Sequence, residues 1–543
     1  MHAGEQYSVS AGTGETGRQD EPARRASRVP MALAWIAGGA ALFVLILRIS
    51  LTTPVTSDGA NPALQAWDML HGHLLLHGWL LGDATYYTFE LPLIALVEVF
   101  FGLHTITVHV AMTVVYVIIA VCAVAIAVTG ATGAAARLSR AAVVVAVLAA
   151  PTLILSNRWV PLGFPDHTGT SVFLLVSCLL VDRAPSRRFT APLLCVILCA
   201  GQLGDITVRY AVVPAICVVA AYRMLAARKI RTGDAAILVA AVVSVPLETA
   251  VRALMRHFGA YLMVSPRTKL APVSQWSHNA AWAWVSIRRL FGLATAPGGG
   301  PAGAWALFGF ACLLAAAAGF LAVLLRWPRA RRAEQVLAVA IVVNIGAYII
   351  STLPGPNTMH DIVAVVPAGA VLAARLLVPA RLAGRLGRLA VSVAAAVAAL
   401  LPLSLLAAQP PARVAGTQQV VDWLQAHGLS YGLGGYWSAS GLTLQAGNQV
   451  QVRSIKVYDG AAVPYAWETN SLWFDPSRHD ANFVLINLND NDPQTVPAIE
   501  RIFGRPALAH RTGDVEILVY HKNLLTQVTP FSQLRPPVMP RVS

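Results

Sequence analysis

Six acidic residues stand just outside long apolar runs in this 543-residue chain: Asp58, Asp83, Glu90, Asp166, Asp205 and Asp361. A carboxylate at the mouth of an apolar body can take a proton from an attacking hydroxyl or hold a cation. Asp58, in Thr56-Ser57-Asp58-Gly59, follows the first apolar run by a few residues and suits either task. It suits equally the capping of a helix that begins there. Asp166 and His167, in Phe164-Pro165-Asp166-His167-Thr168, precede a later apolar run. Capping with a wetted histidine is again the plain alternative. A charged group at membrane depth costs about 2.5–3.5 kcal/mol on insertion scales, which tilts this pair toward function.

Arg158, Arg209 and His360 are cations or potential cations near the same ends. A guanidinium there can grip an anionic lipid head group with two parallel hydrogen bonds, or simply snorkel to interfacial phosphate. Asp205 and Asp361 flank Arg209 and His360 and can neutralise them. Tyr86 and Tyr87, with Phe89, precede Glu90 and can stack on a sugar or form part of an aromatic belt. His71, His73 and His77 suggest a metal cluster, but only His73 and His77 share a helical face and no third ligand stands at defined spacing, so interfacial histidines are the better reading. The glycine clusters 298–300 and 432–435 lack the lysine and the flanking strand and helix of a phosphate loop.

The elements that position these residues follow from composition. Hydrophobic residues make up 56% of the chain and charged residues only 12%, and the mean hydropathy is +0.61. Soluble domains are about a quarter charged, so most of this chain faces lipid or other helices. Eleven apolar segments are expected to span: 31–52, 105–129, 139–157, 168–182, 190–205, 210–226, 234–254, 302–325, 334–353, 362–378 and 389–408. Arginines gather at alternate ends, as at Arg137 and Arg140, Arg223 and Arg228, Arg329 to Arg332, and Arg381 to Arg388. The intervening loops are nearly free of them, with no Lys or Arg from Thr53 to His104 or from Ser351 to Asp361. By the positive-inside rule the N-terminus is cytoplasmic and the acidic loops and C-terminal domain are extracytoplasmic, in a multi-pass protein of the cell (plasma) membrane. The net charge of +14 is then topogenic arginine at a lipid surface, and no nucleic-acid partner is needed. All six cysteines lie in apolar runs, so no disulfide framework is expected.

Three parts result. Residues 1–30 read as a disordered cytoplasmic tail. Residues 31–408 form an all-α polytopic body, with a large first exterior loop at 53–104. Residues 409–543 form an extracytoplasmic α/β domain, with strands at 431–435, 450–457, 482–488 and 515–520 and helices at 417–427 and 493–503. In the first loop, Leu64, Trp67, Leu70 and Leu74 share one helical face and Asn61, Gln65 and Asp68 the other. That is the pattern of a helix lying flat on a membrane surface. Leu91–Phe101 is too short to cross and is expected to re-enter or lie in the interface.

The assembled pattern resembles the polytopic glycosyltransferases of the GT-C fold, which include protein mannosyltransferases and lipid A aminoarabinose transferases. The matching parts are Asp58 after the first span, the loop through Asp83, Tyr86, Tyr87, Glu90, Leu91 and Pro92, and Asp166 at the head of a later span. The segment Asp361–Ala373 and the pairs Tyr436-Trp437 and Trp473-Phe474 look like further landmarks of that group. Many of its members carry Asp-Glu where this chain has Asp58-Gly59. The resemblance implies an inverting transfer of sugar from a polyprenyl-phosphate donor to an extracytoplasmic glycan, lipid or protein. In it Asp58 is the base, Arg158 or Arg209 steadies the departing phosphate, and Asp166 with His167 positions the acceptor or a divalent cation. His360, Tyr86, Tyr87 and Glu90 complete the expected donor or acceptor contacts. The metal ligands stay unknown and no cofactor is certain. A transporter or flippase of a lipid-linked glycan is the main rival and needs ionisable residues at the bilayer midplane, where Glu248 is one of few. A non-catalytic scaffold of envelope assembly is the third reading.

Overall fold

The computed structural model describes residues 36–153, 159–182, 189–264, 268–293, 301–381, 385, 414–489 and 495–534. The expected tail at 1–30, the span at 389–408 and Arg158 lie outside the described residues. The chain is a multi-pass membrane protein. Seven described helices are long and apolar enough to cross a membrane, and three shorter apolar helices accompany them. The hydrocarbon core is about 30 Å thick, which about 20 helical residues span. α4 (Thr105–Val128) exceeds that length, whereas α1 (Ile36–Ser50), α7 (Thr168–Val181) and α8 (Thr190–Gly204) fall below it. All ten occupy apolar segments expected to span.

α14 (Val365–Leu377) packs among α4, α5 (Ala134–Ala149), α12 (Pro301–Leu325) and α13 (Arg332–Ile350), while α9 (Val213–Ala227) and α10 (Thr232–His257) extend the bundle beside α8; the short α6 (Trp159–Leu162) lies on α4 and α11 (Trp276–Leu290) on α13. In α14 every residue from Val365 to Ala374 is buried. Small residues make the fit. A Cβ at Gly319 of α12 would collide with the backbone of Leu372 and Ala373, and one at Gly369 with Ala316. Such close approach is how helices associate where lipid is as apolar as the side chains. One end of the bundle is tied by arginines. Arg332 pairs with Asp234 at 2.6 Å and donates to the Val181 carbonyl. Arg375 pairs with Glu334 at 2.6 Å and reaches the Ile126 carbonyl.

At the other end lies the first loop, with α2 (Ser57–Leu70), β1 (Trp79–Leu81) and α3 (Glu90–Phe101). α3, at 12 residues, rises about 18 Å and cannot cross. The polar face of α2 is not wetted: Asn61 is 0% and Gln65 1% exposed, whereas Leu70 and Leu74 are 43% and 62% exposed. The reason is the C-terminal domain, whose helix Tyr436–Gln445 packs on α2. Sequence periodicity finds the two faces but not the body that covers the polar one.

The C-terminal domain holds a six-stranded sheet in the order β5-β4-β3-β7-β9-β8. β3 (Tyr431–Gly434) runs parallel to β4 (Gln451–Tyr458) and β7 (Phe483–Asn487) at its centre. β5 (Ala461–Pro464), β8 (Leu508–Thr512) and β9 (Val515–Val519) add antiparallel flanks. The helix at Tyr436–Gln445 and the strands β5 and β8 are additions to the sequence reading. A second sheet joins three distant parts of the chain. β1 pairs in parallel with β2 (Leu262–Met263) and antiparallel with β6 (Thr469–Asn470).

Candidate active site

That small sheet and the helix ends around it gather the acidic residues. His167 is the centre of one group. Its Nδ1 lies 3.0 Å and 3.1 Å from the Asp205 carboxylate oxygens. Its Nε2 lies 3.5 Å from Asp166 and 3.4 Å from Asp361. Asp205 also accepts from the Thr170 hydroxyl at 2.5 Å and the Thr207 amide at 2.8 Å. The His360 ring stacks on His167 with centroids 5.7 Å apart, and its Nε2 is 3.2 Å from Asp166. Burial works against a charge on His167, but Asp205 and Asp166 outweigh it and hold the imidazole well above its usual range. Burial pushes Asp205 the other way, and His167 keeps it below the ordinary carboxylate range.

Asp58 is the centre of the second group. The Tyr436 hydroxyl donates to its Oδ1 at 2.5 Å, and the Ser57 hydroxyl donates to the Tyr436 carbonyl. Burial raises Asp58 from 3.8 to about 6, against the Tyr436 hydrogen bond and with help from Asp166. Glu468 lies alongside, 3.5 Å from the Tyr436 hydroxyl and 3.2 Å from Asn61 Nδ2. Burial and the Asp58 charge hold Glu468 well above its ordinary value. Asn61 Oδ1 is enclosed and has no hydrogen-bond donor among the described residues. Buried acceptors are rarely left so, and a ligand hydroxyl would satisfy this one.

Between the groups stand Asp83, Glu90 and Tyr86. Burial raises Asp83 to about 6 and Glu90 to about 8. Glu90 is wedged against Gly169 of α7, where no Cβ would fit. Tyr86 is 5% exposed, and its electrostatic neighbours are Asp166, Glu468, Asp83 and Asp58. Tyr86, His167 and Glu468 all have left-handed backbone, with φ of 57°, 53° and 46°. Each such residue costs about 1–3 kcal/mol, and strain of this kind clusters at functional sites. Tyr87 stands apart: its hydroxyl donates to the Leu74 carbonyl and its ring tilts against Tyr261.

Arg209 is also apart from the histidines. It sits on a π-helical turn, Val208–Val212, a form common at functional positions. Its guanidinium pairs with Glu248 and donates to Gln202. Arg252 grips the same Glu248 at 2.5 Å and reaches the Gln202 carbonyl. Two guanidiniums on one carboxylate leave a surplus positive charge, and Arg209 is 29% exposed. Beneath the site a narrow apolar crevice is lined by Tyr116, Ile119, Val160, Val363 and Pro367 and reaches Thr168 and Ser171.

Asp166, His167 and His360 each offer a ligand atom within 4.8 Å of the others, a spacing one metal ion can bridge. Sequence reasoning did not identify Tyr436, Glu468, Asn61, Thr170, Thr207 or Arg252 as site residues. The one prior signal was Tyr436 as a landmark of the C-terminal domain.

No protein-family profile matches this chain, and no curated protein matches it. Among solved structures, the crystal structure of ArnT from Cupriavidus metallidurans bound to undecaprenyl phosphate is similar, with a TM-score of 0.52 at 14% identity. The match covers 92% of this chain and 99% of that one. At that identity the likeness speaks for the fold, and the fold is an ArnT-like GT-C fold: a helical membrane body carrying a C-terminal domain built on a β-sheet.

Proposed function

We propose that the chain is an inverting membrane glycosyltransferase that moves a sugar from a polyprenyl-phosphate donor to an extracytoplasmic acceptor. The observation that carries this reading is Asp58, a carboxylate raised to about 6, enclosed with Tyr436, Glu468 and Asn61 at the mouth of an ArnT-like body. The solved neighbour holds undecaprenyl phosphate. A general base works best with a pKa near the operating pH, and Asp58 meets that condition.

In the reaction the acceptor oxygen attacks the anomeric carbon and its proton passes to the Asp58 carboxylate. The bond from that carbon to the phosphate oxygen breaks, and its electron pair leaves on the phosphate. The surplus charge of the Arg209–Glu248–Arg252 group steadies the new phosphate negative charge, where stabilisation counts most. Arg158 remains an additional cation for this role. Asp166, His167 and His360 hold the acceptor, and the same three would hold a divalent cation, which would supply positive charge to position it. Tyr86 and Glu90 shape the same pocket, and Tyr87 supports its rim.

Asp58→Asn keeps the shape of the side chain and removes its proton affinity. In lipid-reconstituted protein supplied with radiolabelled polyprenyl-phosphate sugars and envelope extract, transfer should fall by about 10²–10⁴-fold at unchanged abundance. Wild-type rates from that variant would reject Asp58 as the base.

A further inference from the structure

A second recess lies between α2, the segment after it and the C-terminal domain, with a volume of about 350 Å³. Its walls carry Trp67, Trp79 and Trp473, with His71, Arg453 and His479 among them. None of these residues belongs to the acidic site. Indole faces with scattered polar groups suit a sugar ring, which is apolar on its faces and polar at its edges.

Arg453 sets the chemistry. It is 4% exposed, yet among the described residues no carboxylate forms an ion pair with it. Its Nη2 donates to Gln451 at 2.5 Å and its Nε to the Tyr431 hydroxyl at 3.4 Å. Its guanidinium carbon lies 3.8 Å from the centroid of the Trp473 ring. Nη1 is enclosed and has no hydrogen-bond partner among the described residues. Asp68, on the wall of the recess, is already taken by the Trp79 indole at 2.7 Å and by His73 at 2.8 Å. Asp68 acts on Arg453 across the recess without pairing with it, and a buried cation lacking an ion-pair partner is costly; an anion entering the recess would lower that cost. Guanidinium matches carboxylate and phosphate best among anions.

Three segments run from the recess to the acidic site. Asp58 and Asp68 lie ten positions apart near the two ends of α2, about 15 Å by helical rise. β1 begins at Trp79 and leads to Asp83, about 13 Å on in extended chain. Glu468 leads directly into Asn470 and Trp473. An oligosaccharide can therefore touch both places at once.

We propose that this recess is a saccharide subsite that binds an anionic group, carboxylate or phosphate, on the acceptor glycan. The word acceptor rests on the transferase reading, whereas the binding chemistry does not. The full chain in lipid nanodiscs is titrated by calorimetry with trigalacturonate, with neutral maltotriose and with inorganic phosphate. Trigalacturonate should bind at least about tenfold tighter than the other two. Arg453→Gln should weaken it about tenfold or more, and Trp67→Ala severalfold. Trp67 is only partly buried, so if Arg453→Gln does not fold the Trp67 variant decides alone. No binding of trigalacturonate, or equal binding in the folded variants, overturns the proposal. Maltotriose binding as tightly removes the anion, and phosphate binding as tightly removes the saccharide, and each overturns it too. Binding without any transfer would reject the transferase and leave the recess standing. Transfer with no effect of either variant would do the reverse.

Discussion

A carboxylate whose proton comes off near 6 imposes a pH profile. Asp58 faces Tyr436 and Glu468 from the C-terminal domain, and Asp166 and His360 from the bundle. Below about 6 it is protonated and cannot accept, so kcat/KM should fall about tenfold per pH unit on the acid side. Tyr436→Phe removes the donor that favours the ionised form, so the acid limb should move to higher pH. An unmoved limb in that variant would show that another group sets the profile. The sign for stability agrees. A raised carboxyl favours the protonated fold, so its contribution is present below 3.8 and lost as pH rises through about 6. Asp58 was legible in the sequence because a lone carboxylate beside an apolar run stands out. Tyr436 and Glu468 were not, since each sits 375 or more residues further along the chain and nothing local marks either as a partner.

Helices and strands decide whether those residues meet. Asp83 follows β1, Glu468 precedes β6, and the two strands pair at Leu80 with Thr469 and Trp79 with Asn470. Leu80→Pro removes a backbone donor from the middle strand and restricts φ. This change should abolish transfer and leave the membrane helices folded, as seen by an unchanged far-ultraviolet circular dichroism spectrum and normal membrane insertion. Full activity would show that the two exterior parts are held together by other means. The three-residue strand β1 escapes sequence reading because a stretch so short has no period to detect. The apolar helices were legible for the opposite reason: their runs are long and nearly free of charge. Likewise β3, β4, β7 and β9 announce themselves by apolar or alternating runs, whereas β8 has exposed Leu508 and Ala509 and a basic centre at His510 and Arg511. Their place in the sheet is set by pairing with β9, not by their own pattern.

At the scale of the whole molecule, the two ends of the bundle differ in charge. Arg140, Arg331, Arg332 and Arg375 line recesses at one end, and the carboxylates with His167 and His360 gather at the other. Each described helix that crosses must carry the chain from one set to the other, so a single reversed helix would place an arginine cluster among the acids. The loops keep this alternation at most connections, as the arginines of the sequence display; the stretch from Arg252 to Arg289 departs from it, with Arg252, Arg256, Arg288 and Arg289 on the acidic side. The transferase reading needs the acidic end and the C-terminal domain on the outside, where a lipid-linked donor has already been delivered. Two exposed positions report on this: Asp459 in the turn after β4, and Lys229 after α9. A charged, membrane-impermeant maleimide should label Asp459→Cys in intact cells and Lys229→Cys only after lysis. The native cysteines all lie within apolar helices, which the charged reagent does not enter. Labelling of Lys229→Cys from outside with Asp459→Cys protected would invert the molecule and put Asp58 in the compartment of soluble sugar nucleotides. Equal labelling of both in intact cells would break the alternation itself, and with it the convergence of carboxylates from separate loops on which Asp58 depends.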